Sequence, residues 1–258
     1  MSKMLSQLGV NKALLSPEER EFLDQNGYVS LGQILSEEDV DQINAAIDVI
    51  LAREGENAGF ELVDSKYIRH PRETGVDRVA DLVNKGEIFD VFYTQPRVLA
   101  GITQVLGPEI KLSSLNYRAA HKGFGNQKLH ADWHETVAPG DYKVCNSIWL
   151  LDDFVPENGP TRIVPGTHKS GSLPQDVLDD PTLPHPDQKL ILEPAGTVVI
   201  FNSHAWHGGT TNLTEHPRRA IHSYFCRRDQ PQQIDQKRYL IEETKRRLRP
   251  AALAILGV

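Results

Sequence analysis

The first hundred residues carry their apolar positions at helical spacing. Ser16-Pro17-Glu18-Glu19 reads as a capping box, with Ser16 as N-cap, Pro17 at the first helical position and Glu19 at the third. The helix that it opens is expected to stop at Gly27. Ser36-Glu37-Glu38-Asp39 opens a second helix, its acidic residues at the positive end of the dipole. Val40, Ile43, Ile47, Ile50 and Leu51 form that helix's apolar stripe. A third helix begins near Pro96, carries Val98, Leu99, Ile102, Val105 and Leu106, and ends at Gly107-Pro108.

Near residue 110 the texture changes to short β-branched or aromatic segments punctuated by Gly and Pro. The expected strands are 111–118, 127–135, 143–151, 161–164, 190–193, 197–202 and 218–226. Many short strands between tight turns indicate an antiparallel barrel or sandwich. The stretch 166–189 is long, polar and proline-bearing, which suits an insert or lid loop. Residues 235–248 return to a helical pattern, and the apolar tail from Ala251 to Val258 must dock on its own domain or on a partner. One domain is expected: a helical part over 1–109, a β core over 110–227, and a C-terminal helix and tail over 228–258.

Composition narrows the function classes. The chain has 258 residues, 39% hydrophobic and 24% charged, as an ordinary globular domain does. A net charge of −7 argues against a nucleic-acid partner. Residues 227–250 are locally basic, with 8 Lys/Arg against 4 Asp/Glu, which reads as a solvated helix face. Cys145 and Cys226 are too few for a disulfide framework or a zinc ribbon and suit small buried hydrophobes. No apolar run approaches the ~20 residues of a membrane span. The N-terminus MSKMLSQLGV lacks a signal-peptide core, so a cytoplasmic location is expected.

The chemistry lies in the histidines. In Lys128-Leu129-His130-Ala131-Asp132-Trp133-His134, residues two apart on a strand share a face, so His130 and Asp132 project together. By the same alternation His134 shares their face, to line the pocket or to lie beyond the strand end in solvent. Chance alone places about 0.7 H-x-D pairs in a chain with this many His and Asp residues, so the motif needs context. Context comes from Gly196 to Phe201, a buried-strand pattern that runs into Asn202-Ser203-His204-Ala205-Trp206-His207-Gly208-Gly209. Two histidines and one carboxylate on one face of a metal form the facial triad of non-haem Fe(II) oxygenases. Either His204 or His207 can supply the third ligand on spacing alone. Downstream, Pro217-Arg218-Arg219 begins a strand, and a guanidinium there suits the far carboxylate of a dicarboxylic acid. Spacing does not separate Arg218 from Arg219. Alternation puts His222 on the face of Arg218.

Together these segments resemble the phytanoyl-CoA dioxygenase (PhyH) family. The resemblance rests on His130-Ala131-Asp132-Trp133, Ile148-Trp149-Leu150-Leu151-Asp152-Asp153, Glu157-Asn158-Gly159-Pro160, Ile163-Val164-Pro165-Gly166-Thr167-His168-Lys169, and Trp206-His207-Gly208 with Asn212 and Arg218. It spans roughly residues 15–227. It implies a mainly β fold with flanking helices, a double-stranded β-helix or jelly-roll barrel of the cupin type. It also implies an Fe(II)- and 2-oxoglutarate-dependent dioxygenase that converts 2-oxoglutarate and O₂ to succinate and CO₂ while hydroxylating an unactivated C–H of a small molecule.

The resemblance places the iron ligands at His130, Asp132 and His207, with Arg218 on the distal carboxylate of the cosubstrate. Trp149, Asn116 and Lys128 are further candidates for contact with the cosubstrate. His134, Trp133 and Arg118 are candidates for contact with the substrate. The entrance segments also hold Arg69, His70, Arg72, His121 and Lys122. Related halogenases leave the carboxylate position vacant for a halide. Here Asp132 fills it, which favours hydroxylation, desaturation or cyclisation. His168 is expected to hold a turn rather than a metal. The expected assembly is a monomer or weak homo-oligomer. The competing classes are a zinc-type hydrolase on the same ligands, which leaves Arg218 without a task, and a silent binding module, which predicts a broken ligand set.

Overall fold

The computed structural model describes residues 3–59 and 73–258. Both expected capping boxes form. Ser16 Oγ accepts from the Glu19 amide at 3.1 Å while Glu19 Oε2 accepts from the Ser16 amide at 2.8 Å. Helix Pro17–Asn26 then ends at Gly27, whose φ of 81° only glycine adopts at little cost. Ser36 and Asp39 make the same reciprocal pair at the start of helix Glu37–Glu54. The third expected helix runs Pro96–Leu106.

Among the described residues there are nine strands: β1 Tyr28–Gln33, β2 Val76–Val79, β3 Ile110–Ala120, β4 Val144–Leu150, β5 Thr161–Ile163, β6 Lys189–Leu190, β7 Thr197–Asn202, β8 His207–Gly209 and β9 Arg218–Arg227. Six form one antiparallel sheet in the order β1-β7-β4-β9-β3-β2, and three form a smaller one, β6-β5-β8. The sheets face each other in a jelly-roll arrangement and do not close into a barrel. The flanking helices pack on the outer face of the large sheet. Strand alternation decides which side chains go where. On β4, Cys145 and Trp149 join the core shared with Ile43, Ile47, Phe92, Leu99 and Ile102 of the helices. Ile148 and Leu150 point the other way and meet Ile163 of β5 and Ile191, the residue after β6. That second apolar cluster fills one half of the space between the sheets. The other half is the site described below.

Several expectations need correction. Residues 127–135 form no strand. Two of their amides bond β8, Gln127 to Gly209 O and His130 to His207 O, while Leu129 bonds Pro181 O and Asp132 bonds Ser203 O. A single bridge, His130 with His207, is all the pairing that results. Strands β1, β2 and β8 were not foreseen. The first two are edge strands, and β8 has three residues, two of them glycine. The helical pattern over 235–248 breaks into Gln236–Tyr239 and Glu242–Arg247. A further helix, Pro250–Leu256, buries Ala251, Ala252, Ile255 and Leu256 in the chain's own core. The stretch 166–189 is docked rather than free, since Trp206 Nε1 donates to Ser172 O at 3.0 Å and Arg162 donates to Leu183 O at 2.9 Å. No helix among the described residues is long and apolar enough to cross a membrane.

Candidate active site

The space between the sheets opens into a cavity of about 430 Å³. Its floor is the inner face of the large sheet, where the antiparallel registers set residues in rows. One row is Arg78, Arg118 and Ala220. The next is Asn116, His222 and Ile148, and the third is Ser114, Tyr224 and Asn146. The small sheet and the segment before β8 supply the opposite wall.

Three ligand atoms converge there. His130, Asp132 and His207 each offer one atom, and all three atoms lie within 4.8 Å of one another. Asp132 Oδ1 stands 3.7 Å from His130 Nε2 and 3.5 Å from His207 Nε2. The chain holds both rings by the same device. His130 Nδ1 bonds Lys128 O at 3.0 Å, and His207 Nδ1 bonds Ala205 O at 2.9 Å. A backbone carbonyl on Nδ1 requires the proton there, which leaves both Nε2 lone pairs free and aimed inward. The two residues also exchange backbone hydrogen bonds at 3.0 and 2.9 Å. The close approach of the two segments depends on glycine, because a Cβ at Gly208 would stand 3.0 Å from Gln127 O and one at Gly209 2.4 Å from Gly125 O.

Electrostatics favour a cation at this point. Burial raises the Asp132 carboxyl, but His207 and then His130 outweigh it and hold it well below the usual carboxylate range. Asp132 Oδ2 is buried with no hydrogen-bond partner among the described residues. Burial, followed by the neighbouring His207, holds the His130 imidazole down to about 4. Burial also lowers His207, but Asp132 outweighs it and the net shift is upward. The donor set, two imidazoles with Nε2 turned to one carboxylate whose second oxygen has no partner among the described residues, therefore fits a divalent metal.

The double arginine resolves by alternation. Arg219 points out of the cavity, and its Nε and Nη2 close on Asp152. Arg218 points in and is 2% exposed. Its Nε donates to Gly159 O at 3.0 Å and its guanidinium lies 4.9 Å from the Phe154 ring centroid. No carboxylate pairs with it among the described residues. Burial, then the field of Arg118, brings its pKa down to about 9, so it keeps its charge at neutral pH. His222 also faces the cavity, as alternation required.

The other candidates divide. Asn116 and Arg118 line the cavity. Trp149 does not, because β4 turns it to the helix side. There it is fully buried, edge-on to Phe92 at 4.8 Å, with Nε1 donating to Ser147 Oγ. Lys128 has an exposed side chain and contributes only its carbonyl. His134 is 79% exposed, since the missing strand removes the alternation that put it inside. Trp133 packs beside Val144, Tyr224 and Cys226, off the cavity wall. His204 engages both nitrogens, with Asn202 Oδ1 and the Lys143 amide, so it is not free to ligate. His168 Nε2 bonds Asp24 O and holds its turn as expected. Among the entrance residues, His121 pairs with Asp77 and Lys122 with Glu215. Arg69, His70 and Arg72 lie outside the described residues. Sequence reasoning missed Arg78, Ser114, Gln127, Tyr224 and Gln233 on the wall. The register of β3 with β9 is the signal that finds Ser114 and Tyr224.

Comparison with known proteins identifies the family. The profile of the phytanoyl-CoA dioxygenase (PhyH) family matches residues 23–220. The chain belongs to the PhyH family. It is an Fe(II)- and 2-oxoglutarate-dependent dioxygenase. An ectoine dioxygenase of Nocardia farcinica (strain IFM 10152) is 26% identical over 235 residues, spanning 81% of this chain and 76% of its own. The peroxisomal phytanoyl-CoA dioxygenase of Homo sapiens is 24% identical over 246 residues, with shares of 86% and 72%. HygX from Streptomyces hygroscopicus, in a crystal structure with nickel and 2-oxoglutarate bound, superposes on this PhyH chain with a TM-score of 0.65 at 16% identity. That superposition covers 84% of this chain and 89% of HygX and is a likeness of fold.

Proposed function

We propose that His130, Asp132 and His207 hold the Fe(II), that Arg218 receives the distal carboxylate of 2-oxoglutarate, and that the enzyme hydroxylates an unactivated C–H of a small molecule. The observation that carries this reading is the pair of Nδ1 bonds to Lys128 O and Ala205 O, which turns both Nε2 atoms onto Asp132 Oδ1. Three protein ligands leave three coordination positions open, enough for a bidentate cosubstrate and O₂. When bound, the iron with 2-oxoglutarate and O₂ supplies the oxidising chemistry and yields succinate and CO₂. The chain supplies position and exclusion of water. Arg218 offers a buried cation with its Nε already anchored, so its remaining donors are pre-oriented for a carboxylate. Asn116 and His222 line the same cavity as Arg218 and the triad. Ile148 and Phe201 give the cavity an apolar wall.

The helices and sheets share one core, which supports reading residues 1–258 as a single oxygenase domain. The zinc-hydrolase reading uses the same triad but leaves a buried, carboxylate-free Arg218 unexplained. The deciding experiment is anaerobic addition of Fe(II) and 2-oxoglutarate, followed by a visible spectrum. A weak metal-to-ligand charge-transfer band is expected, absent in His207→Ala and weakened in Arg218→Ala. Bound metal without any band overturns the reading.

A further inference from the structure

Arg78 on β2 and Arg118 on β3 stand opposite each other in the ladder, and both line the cavity beside Arg218. The Arg118 side chain is only 7% exposed. One carboxylate serves both arginines. Glu73 takes a fork from Arg118, Nη2 to Oε1 and Nε to Oε2, and its Oε2 also accepts from Arg78 Nη2 at 2.6 Å. Arg78 Nε is buried with no acceptor among the described residues.

The charges on this wall do not balance. In the proposed function, Asp132 and the two carboxylates of 2-oxoglutarate offset the metal dication and Arg218, so that group is neutral. Arg78, Arg118 and Glu73 leave one positive charge over. Excess charge in a partly desolvated site is costly unless a counter-ion meets it. The surplus field is visible at His222, whose pKa is held down to about 3 by burial and then by Arg118 and Arg218.

We propose that the Arg78–Arg118 pair recognises a carboxylate on the primary substrate, which is therefore a small organic monoanion. The inference rests on the reading of Arg218 as the cosubstrate's anchor. Glu73 demonstrates that the pair accepts a planar carboxylate in forked geometry. The substrate's carboxylate takes the guanidinium donors that Glu73 leaves unused on the cavity side, where the Arg78 side chain is 24% exposed. A single negative charge there makes the loaded site neutral, whereas a dianion overshoots.

The test uses the full chain loaded anaerobically with Fe(II) and saturating 2-oxoglutarate, its charge-transfer band recorded first. Acetate, propionate and butyrate are then titrated by calorimetry at constant ionic strength, against acetamide, propionamide and butyramide. The acids should bind saturably and the amides should not. Arg118→Gln should weaken acid binding by about tenfold to a hundredfold with the band retained. Glu73→Gln, which removes the competing carboxylate, should tighten it by about tenfold. If Arg118→Gln does not fold, Arg78→Gln carries the same expectation. Acids and amides that bind alike, acids that do not bind, or variants that bind acids as the wild type does overturn the proposal. A missing band in the wild type contradicts the cosubstrate reading instead, and the subsite falls with it.

Discussion

Arg219 closes on Asp152 through Nε at 3.0 Å and Nη2 at 2.6 Å, and its own backbone amide bonds the same carboxylate at 2.8 Å. That pair settles which of two adjacent arginines is available. Arg219 is spent on structure, and Arg218, one residue earlier and on the opposite face, has no carboxylate partner among the described residues. Arg218→Ala should weaken 2-oxoglutarate binding by about tenfold to a hundredfold, the loss expected for a charge-assisted pair. Arg219→Ala should leave that affinity within about threefold and cost about 1 kcal/mol of stability. Calorimetric titration of 2-oxoglutarate and urea unfolding of both variants check the split.

Removing a metal ligand must cost more than disturbing the groups behind it, and losses of about 10–100-fold are usual for the latter. His207→Ala should therefore lower Fe(II) affinity by more than about a hundredfold. His204→Ala, three residues away, should leave it unchanged, since both nitrogens of His204 serve Asn202 and Lys143. Competitive titration against a chelating dye distinguishes them.

Trp149 lies in the helix-side core. Trp149→Phe should cost about 1–3 kcal/mol of stability with 2-oxoglutarate affinity unchanged. A tenfold loss of affinity at unchanged stability would place the indole beside the cosubstrate after all.

The protonation of His222 sets a pH dependence. Its pKa is about 3 in the folded chain against an ordinary 6.5. Between these values the unfolded state binds the extra proton, so stability falls as pH falls through that window. Going from pH 7 to pH 4.5, His222 alone should cost the native state about 2 kcal/mol. His222→Gln should lose correspondingly less over the same interval, as urea unfolding at both pH values would reveal.

Local rules made much of this chain readable. The capping boxes at Ser16 and Ser36 and the stop at Gly27 depend on neighbouring residues only, and all three form. The H-x-D pair, His207 and Arg218 line one cavity. What failed needed information from elsewhere in the fold. The alternation argument put His134 on the face of His130 and Asp132, but it assumed a strand, and of residues 127–135 Gln127 and His130 bond β8 while Leu129 and Asp132 bond elsewhere. Trp149 sits on a true strand, but its phase on β4 is set by pairing with β7 and β9 rather than by its own sequence. Arg78 became visible only through the register of β2 with β3, and Glu73 only through its bonds to Arg78 and Arg118. The edge strands β1 and β2 are short, six and four residues, and β1 lies directly between two helix signals.

The most direct test of the metal and cosubstrate assignment is a crystal structure of the protein with Ni(II) and 2-oxoglutarate, located by anomalous scattering at the nickel edge. A single strong peak is expected about 2.1 Å from His130 Nε2, an Asp132 oxygen and His207 Nε2, with 2-oxoglutarate on the metal and its far carboxylate on Arg218. A peak on other residues, or a cosubstrate whose distal carboxylate avoids Arg218, would contradict it.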